Sequence, residues 1–242
     1  MKNLNTGFYN DLDTNFELAL EMSEKEFSHS DLILMLKNGN IPEKQIAALK
    51  LDDVYNQEEA KILISNLTGC DGKIREAVAL RINQILTEAP TKSELFNYPE
   101  IFANASIDIN GNICRLVIDS VRIISSCSQE FSNTYLKYIL EFISESFKEL
   151  DNFIFRDKKY VINKQLFKLY WCLEALKLFA KQIQIETLLP IIERTAKERE
   201  YTIREKAAQI IALTNNPNFS QIKEQLLNDE NYYVRNALNT TN

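Results

Sequence analysis

The chain has 242 residues, a formal charge of −6, and only five glycines and five prolines. So few turn formers exclude an all-β fold, and the length suffices for a buried core. The acidic balance disfavours a protein that grips nucleic acid through many phosphate contacts, unless positive charge is gathered on one face.

In chain order, the opening MKNLNTGFYNDLDTNF carries Asp11 and Asp13 and has no apolar centre, so it does not read as a secretory signal. No apolar run reaches the length of a membrane span, and a cytoplasmic location is expected. Apolar residues then recur at i, i+3, i+4 and i+7. That spacing predicts helices over 13–27, 31–37, 42–51, 57–67, 73–87, 93–105 and 112–126. Further helices are predicted over 133–150, 160–182, 185–198, 202–213, 219–227 and 232–238. Pro42 and Pro217 stand at helix starts, where a missing N–H costs least. Gly39, Gly69, Gly72 and Gly111 fall between helices. Residues 1–30 read as a capping helix or docking segment ahead of a repeat domain over 31–242. Cys70, Cys114, Cys127 and Cys172 form no CxxC motif and are expected as free thiols, the last three as small core hydrophobes.

Internal repetition is the most informative pattern. DGKIREAVALRINQIL (71–86), EYTIREKAAQIIAL (200–213) and DENYYVRNAL (229–238) each place an acidic residue in a turn, then Ile or Val, then Arg, then Ala. NGNICRLVIDSVRII (110–124) fits with Cys114 in the Arg position, and YVINKQLFKLYWCLEAL (160–176) fits with Asn163 there. IPEKQIAALKL (41–51) reads as a degenerate first copy. The anchors Ile41, Ile74, Ile113, Ile162, Ile203 and Val234 are spaced roughly 31 to 49 residues apart, which brackets the HEAT/armadillo period. Counting from each anchor, the core stripes are Ile74, Val78, Ile82, Ile85; Ile113, Val117, Val121, Ile124; Ile162, Leu166, Tyr170, Leu173; and Ile203, Ala207, Ile211, Thr214.

The acidic turn, the Ile/Val-Arg pair and the following Ala resemble the second helix of a HEAT repeat. The resemblance implies an all-α fold, a right-handed α-solenoid of about six HEAT-like helical hairpins (the armadillo-type superhelix). It implies first helices on the convex side and second helices lining the concave side. It implies that Arg75, Arg204 and Arg235 pair with turn acids such as Asp71 and Asp229, holding neighbouring repeats in register. Members of this family are mostly scaffolds and adaptors.

Signs of catalysis are sparse. His29 is the only histidine and lies in SHSD at a helix entry, which reads as a surface position. There is no zinc spacing, phosphate loop or dinucleotide fingerprint, so no metal and no cofactor are expected. Carboxylate pairs such as Glu141 and Glu145 fall at i, i+4 and read as a solvated helix face.

Charge is distributed unevenly. The first helices sum to roughly −11, with Glu17, Glu21, Glu24, Glu26, Glu141, Glu145 and Glu149 contributing. The second helices, with the fourth taken from Arg156, sum to about +10 through residues such as Arg75, Arg81, Arg115, Arg122, Arg156, Lys158, Lys159, Lys164, Lys168, Lys177 and Lys181. The expected function is a non-enzymatic, monomeric scaffold that binds an acidic protein segment. The groove residues are Arg115, Arg122, Lys164, Lys168 and Trp171, an aromatic ring among cations. The alternative is nucleic-acid binding by the same groove, resembling the HEAT-like glycosylases of alkylated bases, with Asp119 near Trp171 and Arg122. The bilin lyases with HEAT-like subunits share the expected fold only.

Overall fold

Short polar side chains start the helices. Asn40, Asn56, Asp71, Asn110 and Asn231 each sit at an N-cap and accept from backbone amides of the first turn. Ser28 and Asn40 close reciprocal capping boxes with Asp31 and Glu43. At other boundaries the backbone geometry matters more. A Cβ on Gly39 would lie 2.5 Å from the Met35 carbonyl oxygen and 2.8 Å from Glu43 Cβ, so only glycine allows so tight a passage from the helix ending at Asn38 to the one starting at Ile41. Asn215 ends the helix Tyr201–Thr214 in the left-handed region, at φ 46°.

The computed structural model describes residues 6–152 and 164–239, with side chains from residue 14 onward. The helices among them are α1 (Thr6–Ser23), α2 (His29–Asn38), α3 (Ile41–Lys50), α4 (Gln57–Ser65), α5 (Gly72–Glu88), α6 (Pro99–Ala105) and α7 (Gly111–Cys127). Then come α8 (Gln129–Asp151), α9 (Lys164–Lys177), α10 (Ile185–Thr195), α11 (Tyr201–Thr214), α12 (Ser220–Leu227) and α13 (Tyr232–Ala237). No strand occurs among the described residues.

The chain divides into two compact units, residues 1–133 and 134–242, with the division falling inside α8. In the first unit α1, α3, α5 and α7 stack as one layer, while α2 and α4 pack together in the other. In the second unit α9, α11 and α13 form the corresponding layer, with α10 and α12 behind α11. Consecutive second helices therefore pack on one another, as a repeat stack requires.

The stripes on α5 and α7 are buried along their whole length, from Ile74 to Ile85 and from Ile113 to Ile124. Each such side chain contributes about 1.5–3 kcal/mol on leaving water. Phe102 meets Phe131 edge-on at 5.5 Å in the first unit, and Tyr135 packs on Phe179 in the second.

Four expectations need correction. The helix predicted over 93–105 is interrupted: a 3-10 turn at Ser93–Leu95 precedes α6, because Pro99 forces Tyr98 out of helical geometry. Ile41 is not a core anchor but is 40% exposed, because the Asn40 cap places it at the very start of α3. On α9 the buried stripe is Leu169, Cys172, Leu173 and Leu176, whereas Leu166 and Tyr170 are half-buried. Cys127 is exposed at the end of α7, while Cys114 and Cys172 are buried as expected, and no disulfide joins the four cysteines. Thr214 is half-buried where its stripe leaves the core, and Ile162 lies outside the described residues.

Candidate functional site

In the first unit the N-caps Asn40, Asp71 and Asn110 set a common register. Gln45, Glu76 and Arg115 hold the fifth position after the cap, and Leu49, Leu80 and Asp119 the ninth. These residues lie on the layer's open side, and none is buried. At the α1 end this side is apolar. A groove of about 620 Å³ is lined by Phe16, Ala19, Leu20, Ile41 and Pro42, with Asp71 and Lys73 at its edge. Phe16 is 65% exposed and Leu20 56%.

Toward α7 the same side becomes charged. Arg115 is exposed, and its Nη2 donates to Asn112 Oδ1 at 3.0 Å. Arg122 is also exposed and meets Asp119 at 3.1 Å, one turn away on its own helix. Such a solvated pair leaves the guanidinium available to a better-placed carboxylate. Between groove and arginines, Glu76 accepts from the side-chain amides of Asn110 and Asn112.

Many second-helix cations belong to the stack itself. Arg81 donates to the carbonyl oxygens of Ala48 and Leu49 on α3, and burial pushes its pKa down. Arg75 binds Asp108 through Nε at 2.6 Å and Nη2 at 3.1 Å, while Nη1 bridges the carbonyls of Gly69 and Cys70. Arg204 repeats this geometry with Asp229, at 2.7 and 3.0 Å, and with the carbonyls of Glu198 and Arg199. The carboxylate raises each guanidinium's pKa, most directly through its hydrogen bond. Of the turn acids expected to pair with these arginines, Asp229 does so with Arg204, while Arg75 takes Asp108, the acid of the following turn. Asp71 is occupied in capping the amides of Lys73 and Ile74.

On α9 the proposed groove residues diverge. Lys164 is exposed, and Trp171, seven residues on, shares its side of the helix. Lys168 turns to α8 instead, pairing with Glu145 at 3.0 Å and lying 4.6 Å above the Phe142 ring. Trp171 is half-buried, edge-on to Tyr170 at 5.2 Å and Phe167 at 6.3 Å. Its Nε1 is buried and has no hydrogen-bond partner among the described residues. Arg156, Lys158 and Lys159 lie outside the described residues.

Two features escaped sequence reasoning. One is the α1–α3 groove, hidden because α1 joins the second-helix layer without matching its motif. The other is a half-buried ionic network on α9 and α11. Glu174 accepts from Lys206 at 2.5 Å and Lys177 at 3.0 Å, and both lysines also reach Gln209. Burial opposes the charge on Glu174, yet the two lysines hold its pKa below the ordinary value. Burial likewise opposes the charge on Lys206, and Glu174 outweighs it, raising the pKa. Lys206 stands one residue before Ala207 in the core stripe, and a lone Lys beside an apolar run was the available signal.

His29 begins α2, as its position suggests, but it is engaged. Its ring stacks on Tyr55 at 4.3 Å, and Nε2 lies 3.0 Å from Glu59. No group of three or more metal-binding side chains converges among the described residues, and no helix there is long and apolar enough to cross a membrane.

No family model matches the chain, and no curated protein does. Solved structures do. Two engineered proteins superimpose with TM-scores of 0.52 and 0.53 at 12% and 13% identity, covering 88% of this chain and 94% and 96% of theirs. A structure of computationally designed armadillo repeat proteins for modular peptide recognition matches with a TM-score of 0.50 at 12% identity, over 88% of this chain and 97% of that one. The chain has the armadillo/HEAT-type repeat solenoid fold. Within that solenoid, the arginine–aspartate ties join one repeat to the next.

Proposed function

We propose that this solenoid is a non-catalytic, monomeric cytoplasmic scaffold that binds an extended acidic segment of another protein along its second-helix layer. The observation that carries the reading is the open side of α7. Arg115 and Arg122 point to solvent there, on the same side of the layer as the apolar α1–α3 groove. In the second unit, taken by itself, Lys164 is exposed on α9 and Trp171 shares its side of the helix, giving that helix a cationic and aromatic face of its own. Lys168 contributes when an incoming carboxylate displaces Glu145. Peptide recognition by the designed armadillo proteins supports this choice of ligand class.

The spacing also suggests a pattern for the segment. Neighbouring helices pack about 8–10 Å apart, so α7 lies roughly 16–20 Å from α3. An extended chain covers that span in about five or six residues. A large apolar side chain seated beside Ile41 would then place acidic residues against Arg115 and Arg122.

The test is fluorescence anisotropy with labelled peptides that carry Leu or Phe five or six residues from a pair of Glu. Binding should weaken about tenfold or more in the double variant Arg115→Glu/Arg122→Glu, and should fall with salt. Tighter binding to duplex DNA than to any such peptide would overturn the reading in favour of nucleic acid. Equal binding of acidic and neutral peptides would remove the role of the arginines.

A further inference from the structure

The repeat tie in the second unit has two parts. The polar part is Arg204: Nη1 bridges the Glu198 and Arg199 carbonyls of its own turn at 2.8 Å each, while Nε and Nη2 hold Asp229 of the next turn. The aromatic part is Tyr201, three residues earlier, which stacks on Tyr233 with centroids 6.2 Å apart and planes at 26°. What α11 receives from the next repeat is thus a carboxylate at Asp229, an Asn cap at position 231 and a tyrosine at 233. Asp229 is itself shaped for this, since its Oδ1 accepts from the Asn231 amide at 2.8 Å.

The receiving half of this device occurs a second time, on α13. Arg235 again bridges two carbonyls of its own turn through Nη1, Asp229 at 2.5 Å and Glu230 at 2.9 Å. Its Nε and Nη2, the donors that hold an aspartate in Arg75 and Arg204, have no partner among the described residues. Tyr232 stands three residues before Arg235, as Tyr201 stands before Arg204, and it is 61% exposed. Tyr233 packs against its side at 5.7 Å, leaving the rest of the ring open. A guanidinium fixed by its own backbone loses little freedom when a carboxylate arrives, and a fork matched to a carboxylate is selective for it.

We infer that the outer side of α13 is a docking surface for a helix-initiating turn of a partner protein, of the form acid, any residue, Asn cap, any residue, aromatic. The acid meets Arg235 and the aromatic ring meets Tyr232. The occupant's chemistry is read from what α11 already holds. A second copy of this chain is a poor occupant. Its described Asp-x-Asn turns, at Asp108 and Asp229, are both engaged within their own units. The inference does not rest on the peptide-binding reading, because neither Arg235 nor Tyr232 takes part in that reading.

The experiment uses the 242-residue chain and a labelled peptide with the sequence of residues 217–239, which carries the acid-x-Asn-x-Tyr turn. Saturable binding in the high-micromolar range is expected. It should weaken about tenfold with Arg235→Gln, and equally when the peptide's own aspartate becomes Asn. Tyr232→Ser, an exposed change that leaves the core intact, should weaken it less. No saturation at about 1 mM peptide, or binding indifferent to both the Arg235 and the aspartate changes, overturns the inference. Sedimentation supplies a second way to overturn it: if the chain dimerises and Arg235→Gln makes it monomeric, the occupant is a second copy. Circular dichroism on Arg235→Gln and Arg235→Lys separates loss of the fork from loss of the fold, since Lys keeps the charge without the bidentate geometry.

Discussion

The second-helix layers of the two units use the same arginine tie but fill the space between helices differently. In the first unit the links beyond Arg75–Asp108 have a neutral group on at least one side: Arg81 to the Ala48 and Leu49 carbonyls, Asn83 to the Leu116 carbonyl and the Ser120 hydroxyl, and Glu76 to the Asn110 and Asn112 amides. In the second unit charge lies inside the layer, with Glu174 between Lys177 and Lys206. The comparison separates what the repeat needs from what a given position can vary. A bidentate tie at the turn sets the register, while the links farther along tolerate either neutral or ionic chemistry. Satisfying links internally also leaves Arg115 and Arg122 free to face outward.

The largest effects test the shared part. Arg75→Ala strands Asp108, and Arg204→Ala strands Asp229, each carboxylate being 9% exposed. Each change should cost about 3–5 kcal/mol, because the carboxylate of a buried pair loses its counter-ion and keeps a single backbone amide donor. Urea unfolding measures the cost, and hydrogen exchange locates it. Exchange should accelerate in residues 1–133 for the first variant and in 134–242 for the second. A cost below about 1 kcal/mol at either position would make that pair equivalent to a surface salt bridge and break the equivalence of the units.

The ionic filling gives a smaller effect confined to the second unit. Glu174→Gln leaves Lys206 buried without its counter-ion and should cost about 2–3 kcal/mol, less than a full loss because Lys177 can swing to water. Glu174 has a lowered pKa, so its stabilisation is complete above the ordinary 4.5 and is lost as pH falls through the depressed folded value. Lys206 has a raised pKa, so its share is complete below the ordinary 10.5 and is lost as pH rises through the elevated value. The difference between wild type and Glu174→Gln should therefore stay flat from about pH 5 to 10 and shrink in acid. A difference that changes steadily across neutral pH would point to another titrating group.

How much of this was legible in the sequence follows from what each feature depends on. The stripes on α5 and α7 depend only on local periodicity, and they are buried as the spacing predicts. The Arg204–Asp229 tie was legible because both residues sit in recognisable copies of one motif. Asp108, the partner of Arg75, is harder to read, because it precedes Cys114, where the motif has lost its arginine. Counting α9 from Ile162 misses its register, because burial follows Leu169, Leu173 and Leu176. That shift turns Lys168 toward α8 and half-buries Trp171. The Glu174–Lys206 pair joins residues 32 apart on adjacent helices. No single-helix pattern encodes such a pair, because its value comes from burial shared by two elements.

Trp171 supplies the smallest effect and decides between its two roles. Its indole N–H is buried and has no partner among the described residues, and such an unsatisfied donor costs about 1–3 kcal/mol. Trp171→Phe removes the donor but also removes ring volume that packs on Tyr170 and Phe167. The reduced packing and the relieved donor are of similar size, so stability should change by less than about 1 kcal/mol. If the indole only fills space, peptide affinity should not change either. If it walls the cationic surface, as the proposed function requires, affinity for the acidic peptide should drop by about threefold to tenfold while stability holds. Unchanged affinity at unchanged stability would remove Trp171 from the proposed binding residues.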